Sequence, residues 1–357
     1  MLPNKLFDAP SGGESDEPQQ QRIAPLPLGM TGVMCKMGSL KIPGRGTISY
    51  RIFRPNQLKQ KAPLVVLHGG PLVPCNYLLP LAYVIVDRSL IFYDQLGCGQ
   101  SANIASRSVL TKTTEDSTSS SILDVDSMVQ DLDRLLEHWG LPEYHLLGHS
   151  FGGILLFEYL KYCLANKSPE DIQKCHSAIL ASAPTSTTIV EEEVQRLCKD
   201  LESASGGALE DDWDDDDDAP ARVGTLPKKV PKRFRLEHEC RMNPIPFPLT
   251  DSYSRAGPVK LRGLQSIGNY NATLIAPKET ELAKRKDEDE RMLAVLSTPT
   301  LVLRGQYDFV TETCVKNWDR VFENCRYMTL AGCSHYGMLE NESMYGSVLS
   351  SFLGDCD

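Results

Sequence analysis

Gly148-His149-Ser150-Phe151-Gly152-Gly153 constrains this chain more than any other stretch, because it sets a serine among glycines where a strand must hand over to a helix. The preceding Tyr144-His145-Leu146-Leu147 reads as a short buried strand, and Ile154 through Leu160 as the start of an apolar helix. A turn this sharp leaves no room for side chains beside the neighbouring strand and helix, which accounts for the glycines. The serine is then held in a strained backbone conformation with its hydroxyl presented at the turn and a helix N-terminus behind it.

The segments around this turn follow a matching pattern. From Met37 through Ile42, and after Pro43-Gly44-Arg45-Gly46 through Ile48, Tyr50 and Ile52, apolar residues alternate as in a β-hairpin. Leu64-Val65-Val66-Leu67 and Leu90-Ile91-Phe92-Tyr93 are continuous apolar runs suited to central parallel strands. Val125, Met128, Leu132, Leu135 and Leu136 recur at helical spacing up to His138. Residues 177–182, 300–303 and 326–330 supply further strands. Strands alternating with helices at this spacing predict a mostly parallel central sheet with helices on both faces.

Between Pro184 and Leu296 the alternation stops. A helix-like stretch from Ile189 to Leu201 leads through Gly206-Gly207 and an aspartate run into the basic residues Lys228 to Arg235, then Pro244, Pro246 and Pro248. The expected organisation is a disordered N-terminal segment at 1–30, a core domain from 31–183 and 297–357, and an inserted, mainly helical cap at 184–296. An acidic disordered insert is expected near 206–220.

Charge and cysteine usage narrow the function classes. The net charge is −10, but Asp211 to Asp218 supplies seven of those charges, leaving −3 on the rest of the chain. That balance gives no electrostatic reason to expect nucleic acid or an anionic membrane as a partner. Eleven cysteines without a CxxC pair suit reduced thiols and a cytoplasmic location. No stretch approaches the roughly 20 apolar residues of a membrane span. His238-Glu239-Cys240 lacks a second cluster at zinc spacing, and the aspartate run lacks the spacing of a calcium loop, so neither a metal nor a cofactor is expected.

A serine hydroxyl needs a base to take its proton and a third group to orient that base. In the α/β-hydrolase fold these follow the serine in the order acid, then histidine. After Ser150 the chain offers Asp308, just beyond the strand at 300–303, and His335, just beyond the strand at 326–330. Both lie at strand carboxyl ends, where open sheets of this class place their sites. Read alone, Asp308 is equally a turn aspartate and His335 an ordinary loop histidine; the ordered set of three is far harder to obtain by accident. The oxyanion that forms in acyl transfer needs backbone donors. Gly70, in His68-Gly69-Gly70-Pro71, and Phe151 are the expected pair.

Three stretches together resemble the proline iminopeptidases, serine aminopeptidases of peptidase family S33. They are His68-Gly69-Gly70-Pro71, Tyr93-Asp94-Gln95-Leu96-Gly97-Cys98-Gly99-Gln100-Ser101, and the serine turn itself. The resemblance spans roughly residues 37–185 and 296–353, with Phe234, His238, Cys240, Arg241 and Pro244 also similar. It implies Ser150, Asp308 and His335 as catalytic residues, and a substrate held by its free α-amine on cap glutamates.

Two features depart from the family. Leu72 stands where a glycine is usual. At the two glutamate positions the chain carries Thr225-Leu226-Pro227 and Ile267-Gly268-Asn269-Tyr270 instead. A buried ammonium without a carboxylate is costly, so Glu191, Glu192, Glu193, Glu237 and Glu239 are the substitutes, with Gly69 also lining the substrate.

The expected activity is therefore release of an N-terminal residue, preferably proline, from short peptides through an acyl-enzyme. The alternative is hydrolysis of esters or other small acyl substrates under a diverged cap. A third reading, from a different class, is a non-catalytic binding protein on the same scaffold.

Overall fold

The computed structural model describes residues 33–55, 61–102, 124–204, 230–258, 261, 263–272 and 297–357. The expected disordered segment at 1–30, the aspartate run and the basic pair Lys228-Lys229 lie outside them.

Eight strands form one sheet: β1 Val33–Ile42, β2 Gly46–Pro55, β3 Leu64–Leu67, β4 Leu90–Tyr93, β5 Tyr144–His149, β6 Cys175–Ala181, β7 Thr300–Gly305 and β8 Cys325–Leu330. Their order is β1-β2-β4-β3-β5-β6-β7-β8. The first two strands run antiparallel as the expected hairpin, and every neighbour from β4 to β8 is parallel. The α/β-hydrolase fold expected from the sequence is the fold observed.

The apolar runs are continuous because both faces of the sheet are covered. Along β3, Val65 and Leu67 enter one core with the helices Val125–Trp139 and Phe151–Asn166, while Leu64 and Val66 enter the other with the helix Glu342–Asp355. The helix Val125–Trp139 starts where Asp124 accepts the Ser127 N–H at 2.7 Å and stops at Gly140 in the left-handed region. Truncating one of its buried leucines, such as Leu132, removes about 2–5 kcal/mol.

Topology locates the site. From β3 the chain passes to β4 on one side, then returns to lay β5 on the other, so connections diverge on either side of β3. The crevice at the carboxyl ends of strands flanking such a point is where this architecture binds ligands. Register aligns those ends: Leu67 pairs with Gly148, His149 with Ala181, and Gly305 with Leu330.

The chain between β6 and β7 contains the helices Thr187–Ala204 and Phe247–Ser254, with a short helix at Lys232–Phe234 that continues as a π-helix to Glu239. Main-chain bonds tie this insertion to the core: Gly99 N–H to Arg255 O and Gly257 N–H to Leu72 O, both 2.9 Å.

Candidate active site

Ser150 follows β5 directly and caps the helix Phe151–Asn166 with φ 55° and ψ −120°. That left-handed φ is strained for a residue with a side chain. Close packing of backbone around the turn fixes it. A Cβ added at Gly148 would lie 2.2 Å from Gly152 O, one at Gly152 2.2 Å from Leu67 O, and one at Gly153 2.2 Å from the Ala183 Cβ. The Ser150 N–H is spent on Ala181 O at 2.8 Å. Its hydroxyl is buried and makes no hydrogen bond.

Asp308 and His335 meet as the sequence suggests. His335 Nδ1 donates to Asp308 Oδ1 at 2.8 Å, with both side chains fully buried. The Val310 N–H donates to the same oxygen at 2.8 Å, which leaves the carboxylate oriented toward the ring. Phe309 lies against the imidazole at 4.2 Å between ring centroids. The structure does not close a hydrogen bond between Ser150 and His335. Such bonds are often long or misaligned before substrate binds.

Two further histidines stand here without carboxylate partners. The Gly69 N–H donates to the Tyr77 hydroxyl at 2.8 Å, so the Tyr77 proton is free to go to His149 Nδ1, also 2.8 Å away. His149 Nε2–H then donates to the His335 carbonyl at 3.0 Å. This chain needs a neutral His149. Burial, then the nearby His335, holds its pKa well below the ordinary histidine value. Burial likewise lowers His68, whose Nε2 accepts the Gln95 N–H at 2.9 Å. The relay through Tyr77 and His149 links residues 72 and 186 positions apart, and no local sequence pattern announces it.

The Tyr93–Ser101 motif shapes the loop beside the serine. Gln95 accepts from Leu72 N–H at 3.1 Å and donates to His68 O at 3.0 Å, spanning the Gly69–Gly70 turn. Asp94 accepts from the N–H groups of Cys75 and Gln100, each at 3.0 Å, and Gly99 sits so close that a Cβ would be 2.4 Å from Asp94 Oδ2. Leu72 adopts φ 64°, which explains why glycine suits that position. Here a leucine carries the strain with its side chain packed against Gly257.

Gly70 has φ 113°, and a Cβ there would be 2.7 Å from Val73 N. Among the described residues neither its N–H nor that of Phe151 has a protein acceptor. Gly69 lies against the serine. Its N–H is committed to Tyr77, and its lack of a side chain serves close approach, since a Cβ would sit 3.1 Å from the Ser150 Cβ.

The acidic candidates separate sharply. Glu191 and Glu192 are exposed on a helix whose buried face is Val190, Val194 and Leu201, so the helical period turns them to solvent. Glu193 is held by Arg196 at 2.8 Å and Thr311 at 2.7 Å. Glu237 pairs with Arg233 at 2.7 Å near the surface. Only Glu239 is buried. It accepts from Arg235 at 2.9 Å and from the Tyr253 hydroxyl at 2.8 Å, and that hydroxyl is 2.9 Å from Tyr336, the residue after His335. A cleft of about 630 Å³ opens elsewhere, at the strand amino ends beside His176, Thr298 and Asp357.

A family model described as the alpha/beta hydrolase fold matches residues 62–342. In sequence the chain is 27% identical to the proline iminopeptidase of Lactobacillus delbrueckii subsp. lactis, over 82% of this chain and 90% of that protein. It is 26% identical to the proline iminopeptidase of Saccharolobus solfataricus, over 86% and 88%. In structure it resembles the proline iminopeptidase of Mycobacterium smegmatis with a TM-score of 0.62 at 20% identity, covering 90% of this chain and 98% of that one.

Proposed function

The chain belongs to the alpha/beta hydrolase fold family, and from that premise we propose a serine hydrolase that releases an N-terminal residue, preferably proline, from short peptides. The observation that carries this reading is the buried Asp308–His335 bond standing behind a strained serine whose hydroxyl is unbonded. His335 Nε2 takes the Ser150 proton as Oγ attacks the carbonyl carbon, and Asp308 holds the resulting imidazolium. The Gly70 and Phe151 N–H groups receive the oxyanion, helped by the N-terminus of the helix Phe151–Asn166. His335 then protonates the leaving amine, and water releases the acyl group by the reverse route. The insertion acts as the cap over this site. Among its acids Glu239 is the one we assign to a substrate α-amine. The similarity to proline iminopeptidases supports the peptide class, and the eleven unpaired thiols support a cytoplasmic location.

One observation favours a second reading. Arg235 already neutralises Glu239, so the site does not depend on a cationic substrate for charge balance, which suits small esters or other uncharged acyl groups. A panel of aminoacyl amides, their N-blocked forms and short-chain esters separates the two. Turnover of free prolyl amide but not its blocked form is the expected result. Ester turnover alone overturns the peptidase reading in favour of the esterase. Absence of both turnover and fluorophosphonate labelling at Ser150 overturns catalysis altogether.

A further inference from the structure

Four residues of the insertion, His238 to Arg241, run between the loops that carry Asp308 and His335. His238 Nδ1–H donates to the Tyr307 carbonyl at 2.8 Å, and the His238 carbonyl accepts the Phe309 N–H at 3.4 Å. One residue thus grips the backbone on both sides of Asp308. Glu239 offers its carbonyl to the Tyr336 N–H at 3.3 Å, directly after His335. The Arg241 N–H donates to Glu340 at 2.6 Å. That same carboxylate accepts both the N–H and the hydroxyl of Ser334, directly before His335.

Both loops need such support from outside. Asp308 Oδ2 has no hydrogen bond, so the carboxylate is fixed through Oδ1 alone and follows any shift of its own backbone. Phe309, whose N–H is held by His238, is also the floor against which the imidazole rests. We propose that His238 and Glu340 are positioning residues. Through them segment 238–241 clamps the acid loop to the base loop, and the Asp308–His335 bond keeps its productive geometry while that clamp is seated. The inference rests on the roles given above to Asp308 and His335, and adds that the insertion sets their alignment as well as covering them.

The test uses the full chain with His238→Ala, His238→Asn and Glu340→Gln. Three readouts serve: the low-field proton NMR signal of His335 Nδ1–H, the second-order rate of Ser150 labelling by a small fluorophosphonate, and kcat with KM for the best substrate. In His238→Ala and Glu340→Gln, labelling and kcat should fall about tenfold or more, since displacements near 1 Å are that costly. KM should stay within about twofold, and the low-field signal should broaden or vanish. His238→Asn, which keeps an N–H donor near the Nδ1 position, should restore most of the loss. Wild-type labelling and signal in both variants overturn the clamp, as does a loss confined to KM. Should His238→Ala fail to fold, Glu340→Gln decides, because it preserves side-chain volume. A wild-type protein showing neither labelling nor the low-field proton overturns the acid–base reading and the clamp with it; a reactive wild type with unaffected variants overturns the clamp alone.

Discussion

The two ends of the central sheet are built on opposite principles. At the carboxyl ends Leu72, Ser150 and Ser182 hold positive φ, and Ser150 Oγ and Asp308 Oδ2 are buried without hydrogen bonds. At the amino ends the buried Arg88 charge is answered. Arg88 is wholly buried yet makes two 2.9 Å bonds to Asp357 and one to the Ala62 carbonyl. Lys61 reaches Asp357 at 3.1 Å, and His145 bonds Ser177 at 2.7 Å and Asp357 at 3.3 Å. Strained backbone costs of order 1–3 kcal/mol per residue and persists where the surroundings over-determine it. The closed network at one end and the two apolar cores supply that surplus for the other.

If the division is real, substitutions should affect activity and stability separately. The largest effect belongs to Ser150→Ala, which should lower turnover by about 10⁴-fold or more. Its thermal midpoint should hold or rise, because a buried unbonded hydroxyl is removed. More than about 1% residual turnover would move the nucleophile elsewhere. Next comes Asp357→Ala. Leaving the buried Arg88 with only the Ala62 carbonyl and the longer 3.4 Å contact to Asp87 should cost about 3 kcal/mol in urea unfolding, with Ser150 labelling per folded molecule unchanged. A parallel loss of labelling would dissolve the contrast between the ends.

Acid should draw on both ends, since His149 and His68 are lowered too, and at the amino end His145 sets the window. Burial, then the Arg88 charge, pushes His145 down to about 4, against 6.5 for a free histidine. The unfolded chain therefore takes up this proton at higher pH. Its contribution to stability is intact above pH 6.5 and drains as pH falls toward about 4, a loss of roughly 2–3 kcal/mol. Asp357 has the depressed carboxylate pattern. Burial opposes its ionisation, but hydrogen bonds from Arg88 and Lys61 outweigh that and hold it at about 2 against 3.8, so its share survives to about pH 4 and is lost as pH falls through 2. Urea midpoints should fall across the His145 window, and His145→Gln should flatten that fall. An unchanged slope in His145→Gln would place the acid sensitivity elsewhere. The smallest effect is expected from Tyr77→Phe, which strips Gly69 N–H and His149 Nδ1 of their partner. It should cost about 1–2 kcal/mol and reduce labelling a few-fold; full wild-type labelling would mark the relay as structural only.

The sequence was legible where one residue type alone satisfies a local demand. The continuous apolar runs of β3 and β4 required burial on both faces, and the glycines around Ser150 required space that backbone occupies. The meeting of Asp308 with His335 was legible because each lies in the loop just beyond a strand. The insertion was legible only as an interruption. Its π-helical turn at Arg235–Glu239 and the helix Glu342–Asp355, with glycine and four serines among its residues, carry weak periodicity. Glu191 and Glu192 illustrate a signal that was present: spacing from Val190 and Val194 already turned them outward. The bonds Arg88–Asp357 and Tyr77–His149 join residues 269 and 72 positions apart, so only the folded chain brings them together.

The packed glycines beside Ser150 also divide inherited damage at this turn into two kinds. On the proposed mechanism, loss of the serine hydroxyl leaves an inert protein at normal abundance, still able to occupy whatever the intact protein binds. A side chain at Gly152, 2.2 Å from a neighbouring carbonyl, instead drives the chain toward degradation, because unfolded molecules are cleared. Two lesions two residues apart would look alike in an activity assay and differ on an immunoblot: one a silent occupant, the other an absence.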